Sequence, residues 1–223
     1  MKTPIILVNF KIYYEISGPK GLELAKICQE VSNKTGVNIA IAPQIIDLSY
    51  ISEKVSIPVF SQHADNIKPG SGTGKTTLEG IKDSKAVGTL INHSENRLKL
   101  ADIESLVNRC RDLQLLSVVC TNNIAVSKAV AMFNPNFIAV EPPELIGGDI
   151  SVTDADPDIV KNTVKDIRAI SPEIKVLCGA GVKNGKDVKK AIQLGAEGVL
   201  LASGVTKAKN PFQVLEDLAK GAI

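Results

Sequence analysis

The sequence predicts an α/β protein: a (β/α)8 barrel forming a single domain over residues 1–223. Short apolar runs recur along the chain, eight in all, with stretches of helical spacing between most of them. No linker or composition break interrupts the alternation. The runs are rich in Val and Ile and do not alternate cleanly, as expected of parallel strands buried on both faces. A right-handed crossover after each strand would close such units into a barrel. An open doubly wound sheet is the competing layout. Eight units in 223 residues would be lean for it, and Asn9-Phe10-Lys11 stands where its Gly-rich dinucleotide turn would be.

Strands are expected at Ile5–Val8, Val37–Ala42, Ile57–Phe60, Val87–Ile91, Leu115–Cys120, Phe137–Val140, Ile174–Leu177 and Val199–Ala202. Leu22, Ala25, Ile27, Cys28 and Val31 share one helix face after the first strand. Leu100, Ile103, Leu106, Val107 and Cys110 mark a second helix, and Val188, Ala191, Ile192 and Leu194 a third that Gly195 stops. Asp156-Pro157 and Asn210-Pro211 each pair an N-cap residue with proline at the first helical position.

Hydrophobic residues make up 44% and charged residues 22%, a balance that argues against disorder. A net charge of +2 gives no field for nucleic acid or a membrane surface. The apolar run after Lys2 is too short for a signal peptide, and none approaches the ~20 residues of a spanning helix. Cys28, Cys110, Cys120 and Cys178 lack paired spacing, which suits free thiols in a reducing cytoplasm and no metal site.

The candidate chemistry lies just past strand ends, on the face where barrel active sites form. Glu141 follows Phe137–Val140 and is held by Pro142-Pro143, a stiff stem that suits a positioned base. Taken alone it would read as a solvated glutamate. His93 follows Leu90-Ile91-Asn92. Ser94-Glu95 is expected to open a helix whose N–H groups face the imidazole and keep it neutral, able to donate a hydrogen bond. His63 reads as a structural hydrogen-bonding residue. Lys11, two residues beyond Asn9, could hold an anion as a point charge. Glycine-bearing turns at Gly147-Gly148, Cys178-Gly179-Ala180-Gly181 and Ala202-Ser203-Gly204 come late, where barrel loops make phosphate sites from backbone amides. Gly70-Ser71-Gly72-Thr73-Gly74-Lys75-Thr76 looks like a P-loop, but only three residues separate Gly70 from Gly74-Lys75 where the motif needs four. It reads better as a flexible or partner-contacting loop.

These residues together resemble the triosephosphate isomerase family in its short archaeal form, a TIM barrel. The resemblance runs through Asn9-Phe10-Lys11, Ala42-Pro43-Gln44, Gln62-His63, Gly88–Glu95, Ala139–Gly147, Cys178–Gly181 and Gly198–Gly204, essentially the whole chain. A glutamate base with a neutral histidine is the family's own known pattern and is brought by the likeness. It implies Glu141 as the base, His93 as the electrophile stabilising an enediolate, Lys11 as positive charge, Asn9 orienting the substrate and Glu95 supporting Lys11. It implies Ile146 and Gly147 in a closing lid. Gly179, Ala180, Gly181, Ala202, Ser203 and Gly204 would line the phosphate site. It implies no cofactor or metal, a small phosphorylated triose substrate, and a homo-oligomer, tetramer favoured over dimer, with Thr73 at the tip of the loop that reaches a neighbouring subunit. Departures are Gly147-Gly148-Asp149, where many relatives carry Gly-Thr-Gly, and the altered flanks of Thr73. The alternatives are a phosphosugar-binding barrel without isomerase activity, and an aldolase with Lys11 as a Schiff-base nucleophile.

Overall fold

A computed structural model describes residues 1–142 and 157–223. Ile146, Gly147, Gly148, Asp149 and Asp156 lie outside the described residues. The strands are β1 Ile5–Asn9, β2 Asn38–Ala42, β3 Phe60–Ser61, β4 Gly88–Ile91, β5 Leu116–Thr121, β6 Phe137–Val140, β7 Lys175–Cys178 and β8 Gly198–Leu201. All are parallel, in the order β2-β1-β8-β7-β6-β5-β4-β3. A bridge between Ile41 and Val59, with Ile41 N–H donating to Pro58 O at 3.0 Å, joins the two ends of that order and closes the barrel.

Every expected strand is present, most shifted by about one residue. The third, expected over Ile57–Phe60, is only Phe60–Ser61. Pro58 has no N–H to give the ladder, so pairing starts after it.

Helices fill the crossovers: α1 Pro19–Thr35, α2 Leu48–Ser52, α3 Leu78–Asp83, α4 Leu100–Asp112, α5 Ile124–Ala131, α6 Pro157–Ile170, α7 Gly185–Gln193, α8 Ser203–Thr206 and α9 Pro211–Gly221. Their ends carry caps, of which Asn210 was expected and Gly36 and Asn184 were not. Gly36 turns left-handed at φ 73 and donates to Ser32 O after α1. Asn184 and Asp187 form a capping box at α7, and Asn210 caps α9 through Gln213 N–H. No helix among the described residues is long and apolar enough to cross a membrane.

The strands are apolar throughout because both faces are covered. Ile5, Leu7, Ala40, Phe60, Leu90, Val118, Phe137, Ala139, Leu177 and Leu200 fill the barrel interior. Ile6, Val8, Ile39, Ile41, Ile91, Ile138 and Val176 belong to a second cluster, shared with the helices. Successive side chains point to opposite faces of a strand. The inward set of each strand therefore continues in alternate residues to the carboxyl-end mouth, and this positions the site.

Candidate active site

Asn9 has the inward parity of Ile5 and Leu7, and Glu141 that of Phe137 and Ala139. Both are buried polar residues at the mouth. Gln62 follows Phe60 by the same rule. Gly179 and Ala202 directly follow the last two strands, two residues beyond the inward Leu177 and Leu200. One cavity is lined by Asn9, Lys11, His93, Glu141, Gly179, Gly181, Ala202, Ser203 and Gly204, joined by Tyr13, Val182 and Lys183. Ala180, expected there, is 2% exposed and packs into the core. Strand parity explains this, since it follows Gly179 on the opposite face. Glu95 lies at the rim. Thr73 is exposed in the loop after β3, away from the cavity lining.

His93 reaches the cavity through a break in the strand pattern. Asn92 takes φ 61, the left-handed region that Asn tolerates better than most residues. Its amide donates to Cys120 O and its Oδ1 accepts from Leu98 N–H, both at 2.9 Å. The chain turns there, and α4 starts at Leu100 rather than at the expected Ser94-Glu95. A turn with Asn96 N–H donating to His93 O at 2.8 Å fills the gap. One expected donor is nonetheless supplied: Glu95 N–H points at His93 Nδ1 from 3.2 Å. Nδ1 is then the acceptor, which leaves the proton of a neutral ring on Nε2. Burial lowers the His93 pKa, opposed by Glu95 and aided by Lys11 and Arg97. The neutral ring thus owes more to desolvation than to a helix terminus.

Glu141 Oε1 lies 3.8 Å from His93 Nε2. Burial pushes the carboxyl pKa up to about 7, against the lowering effects of the Cys120 thiol, Lys11 and Arg97. Its Oε2 is buried with no hydrogen-bond partner among the described residues. A base with a pKa near neutrality is matched to proton abstraction at that pH. Lys11 sits on the other side at φ 51, also left-handed. Its N–H donates to Asn9 Oδ1 at 2.9 Å, and Gln62 Nε2 donates to both Lys11 O and Ala42 O at 2.9 Å. The Lys11 ammonium is 2.8 Å from Glu95 Oε1.

His63 stays outside this cavity, with Nε2 3.5 Å from Asp65 Oδ1. Asp65 also binds Lys75 Nζ and Thr76 N–H, at the neck of the loop that carries Thr73. Sequence reasoning missed Gln62, Cys120 and Lys183 as neighbours of the site. Strand parity counted from Phe60 and Val118 would have found the first two. Lys183 carried only its place two residues beyond Gly181.

A buried carboxylate facing a neutral imidazole across the carboxyl-end mouth of a (β/α)8 barrel defines an enzyme class, barrels that shuttle protons on small substrates. The family model for triosephosphate isomerase matches residues 4–220. The triosephosphate isomerase of Methanocaldococcus jannaschii is 55% identical over 216 residues, covering 97% of this chain and 99% of that one. That of Methanothermus fervidus is 52% identical over 218 residues, covering 98% of each, and that of Methanosarcina barkeri is 47% identical over 220 residues, covering 99% of each. The chain belongs to the triosephosphate isomerase family.

Proposed function

We propose that this protein is a triosephosphate isomerase, interconverting dihydroxyacetone phosphate and D-glyceraldehyde 3-phosphate. The observation that carries the reading is the 3.8 Å separation of Glu141 Oε1 and His93 Nε2 inside one cavity. A planar enediolate needs a base at its carbons and a donor at its oxygens, and these two groups face each other. Glu141 removes a proton from the carbon bearing the hydroxyl. His93 donates Nε2–H to the carbonyl oxygen as charge develops. Glu141 returns the proton to the neighbouring carbon, which becomes the stereocentre of the aldose, while the proton of the original hydroxyl passes by way of His93 to the former carbonyl oxygen, leaving an aldehyde on the first carbon. The Lys11 ammonium stabilises the enediolate charge, Asn9 orients the substrate, and Glu95 fixes Lys11. An ion-paired Lys11 suits a fixed charge rather than a nucleophilic amine.

Gly181, Ser203 and Gly204 offer backbone amides to the phosphate at the far end of the cavity. Ile146 and Gly147 complete the cover by family likeness. A homo-oligomer in the cytoplasm, tetramer before dimer, belongs to the same proposal. The exposed side chains of Ile12, Tyr14, Ile45 and Ile46, in the segments after β1 and β2, support self-association.

A coupled isomerase assay tests the reading. Turnover by the wild type, and its fall by about three or more orders of magnitude in Glu141→Gln with folding retained, is expected. Unchanged turnover in that variant rejects the role of Glu141. Phosphoglycolate binding without turnover gives a binding module instead, and a borohydride-trapped adduct on Lys11 gives an aldolase.

A further inference from the structure

The short helix at the phosphate end of the cavity depends on its neighbours for its position. α8 spans Ser203–Thr206, a single turn, and Ser203 and Gly204 line the cavity. It is closed by Thr206 N–H donating to Ala202 O at 3.0 Å and Lys207 N–H donating to Ser203 O at 3.2 Å. One turn fixes more backbone than so few hydrogen bonds offset, so other segments must place it. Val205 and Thr206 are buried beneath it. A β-carbon on Gly204 would fall 3.4 Å from Val182 O, so the loop after β7 abuts the turn as well. The end of the turn runs into Lys207, an exposed residue, and needs a separate anchor there.

Tyr13 supplies that anchor. The Lys207 ammonium stands 4.3 Å from the centroid of the Tyr13 ring, the shortest cation–ring contact among the described residues. The ring is itself well held. It packs against the core cluster shared with the helices, and the Tyr13 carbonyl accepts from Ile16 N–H at 3.2 Å. Tyr13 also lines the cavity, two residues beyond Lys11. One contact therefore joins the segment that carries the Lys11 ammonium to the turn that carries Ser203 and Gly204.

We propose that Tyr13 is a positioning residue for the substrate phosphate, acting through Lys207, an inference that rests on the phosphotriose reading above. The ring holds Lys207 and through it the Ser203–Gly204 turn, so that the phosphate is seated at one fixed distance from Lys11 and His93. Lys207 stands outside the described cavity lining and serves as a tether rather than a ligand. A turn that drifts by a fraction of an ångström meets the phosphate less well, and the substrate is held less tightly.

The test compares wild type with Tyr13→Leu, Tyr13→Phe, Lys207→Met and the double variant Tyr13→Leu/Lys207→Met. Lys20→Met is the charge control, since that ammonium lies over the Tyr14 ring outside the cavity. In Tyr13→Leu and in Lys207→Met, KM for both triose phosphates, Kd for phosphoglycolate and Ki for inorganic phosphate are expected to rise about two- to fivefold, the scale of one exposed cation–π contact. Turnover changes less than about twofold, and urea midpoints show each variant folded. The double variant rises no further than either single one, because each removes the same contact. Phenylalanine keeps the ring face and with it most of the affinity, and Lys20→Met stays at wild-type values. Tyr13→Leu constants within error of an active wild type, or increases that add in the double variant, overturn the role of Tyr13 alone. A wild type that neither turns over nor binds phosphoglycolate overturns the phosphotriose reading and this inference with it.

Discussion

The Glu141 side chain occupies the space that a β-carbon on residue 179 would need. Built there, that carbon would fall 2.4 Å from Glu141 Cγ and 3.2 Å from Oε1. Gly179 is thus required by the base itself. In Gly179→Ala the carboxylate must move away from His93. Because a shift of about 1 Å in a reacting group costs roughly 10²-fold, kcat should fall by about that factor. Circular dichroism should show a barrel still folded. Unaltered kcat would mean that the carboxylate has another equally productive position.

The raised pKa of Glu141 links stability to pH. Its folded value is about 7 against an ordinary 4.5, so the folded protein holds this proton more tightly than the unfolded chain. The corresponding stability is fully present below about 4.5 and is lost as the pH rises through about 7. Glu141→Gln removes that loss. The variant should be more stable than wild type at pH 8, by an amount on the order of 2–3 kcal/mol, with the gap closing near pH 4. Burial lowers the pKa of His93 below 6.5, which costs stability as the pH falls below that value in both proteins, so the difference curve isolates Glu141. Urea unfolding across the range measures it. The same titration should give kcat/KM an acid limb near pH 7, where the base gains its proton.

Asn92 is the device that delivers His93. Alanine there would lose two hydrogen bonds and the better tolerance that asparagine has for the left-handed backbone at φ 61. A destabilisation of about 3 kcal/mol follows from about 1 kcal/mol for each element. Glycine accepts the backbone angle but not the bonds and should recover about a third of the loss. Urea midpoints and kcat measured on both variants separate the angle from the bonds. Equal stability of the two would show that backbone conformation contributes nothing.

Lys11 keeps its left-handed backbone because Asn9 and Gln62 bind both sides of it. In Gln62→Ala the Lys11 carbonyl loses its donor, and that of Ala42 keeps only Phe10 N–H. The expected stability loss is about 1–2 kcal/mol, with kcat about tenfold lower as the ammonium relaxes away from the cavity. Thermal unfolding and steady-state kinetics check it, and a kcat at the wild-type level would show that Glu95 alone positions the ammonium.

Much of this was written in local chemistry. Val- and Ile-rich runs, caps such as Asn210-Pro211, and proline after Glu141 mark elements whose causes act within a few residues. Those causes survive in a linear reading, and so the barrel and the Glu141, His93, Asn9 and Lys11 set were legible. The sequence by itself determined which groups exist and at which strand ends they stand. Tertiary structure alone decided their state and spacing. The pKa of Glu141 depends on burial by distant segments, the neutral ring of His93 on enclosure rather than on a helix terminus, and the strand after Ile57 on how a neighbouring strand meets Pro58. The same holds for Lys183, whose nearness to Gly204 arises only where β7 and β8 lie side by side. Desolvation and contact depend on which residues the closed sheet brings together, and spacing along the chain does not carry that information.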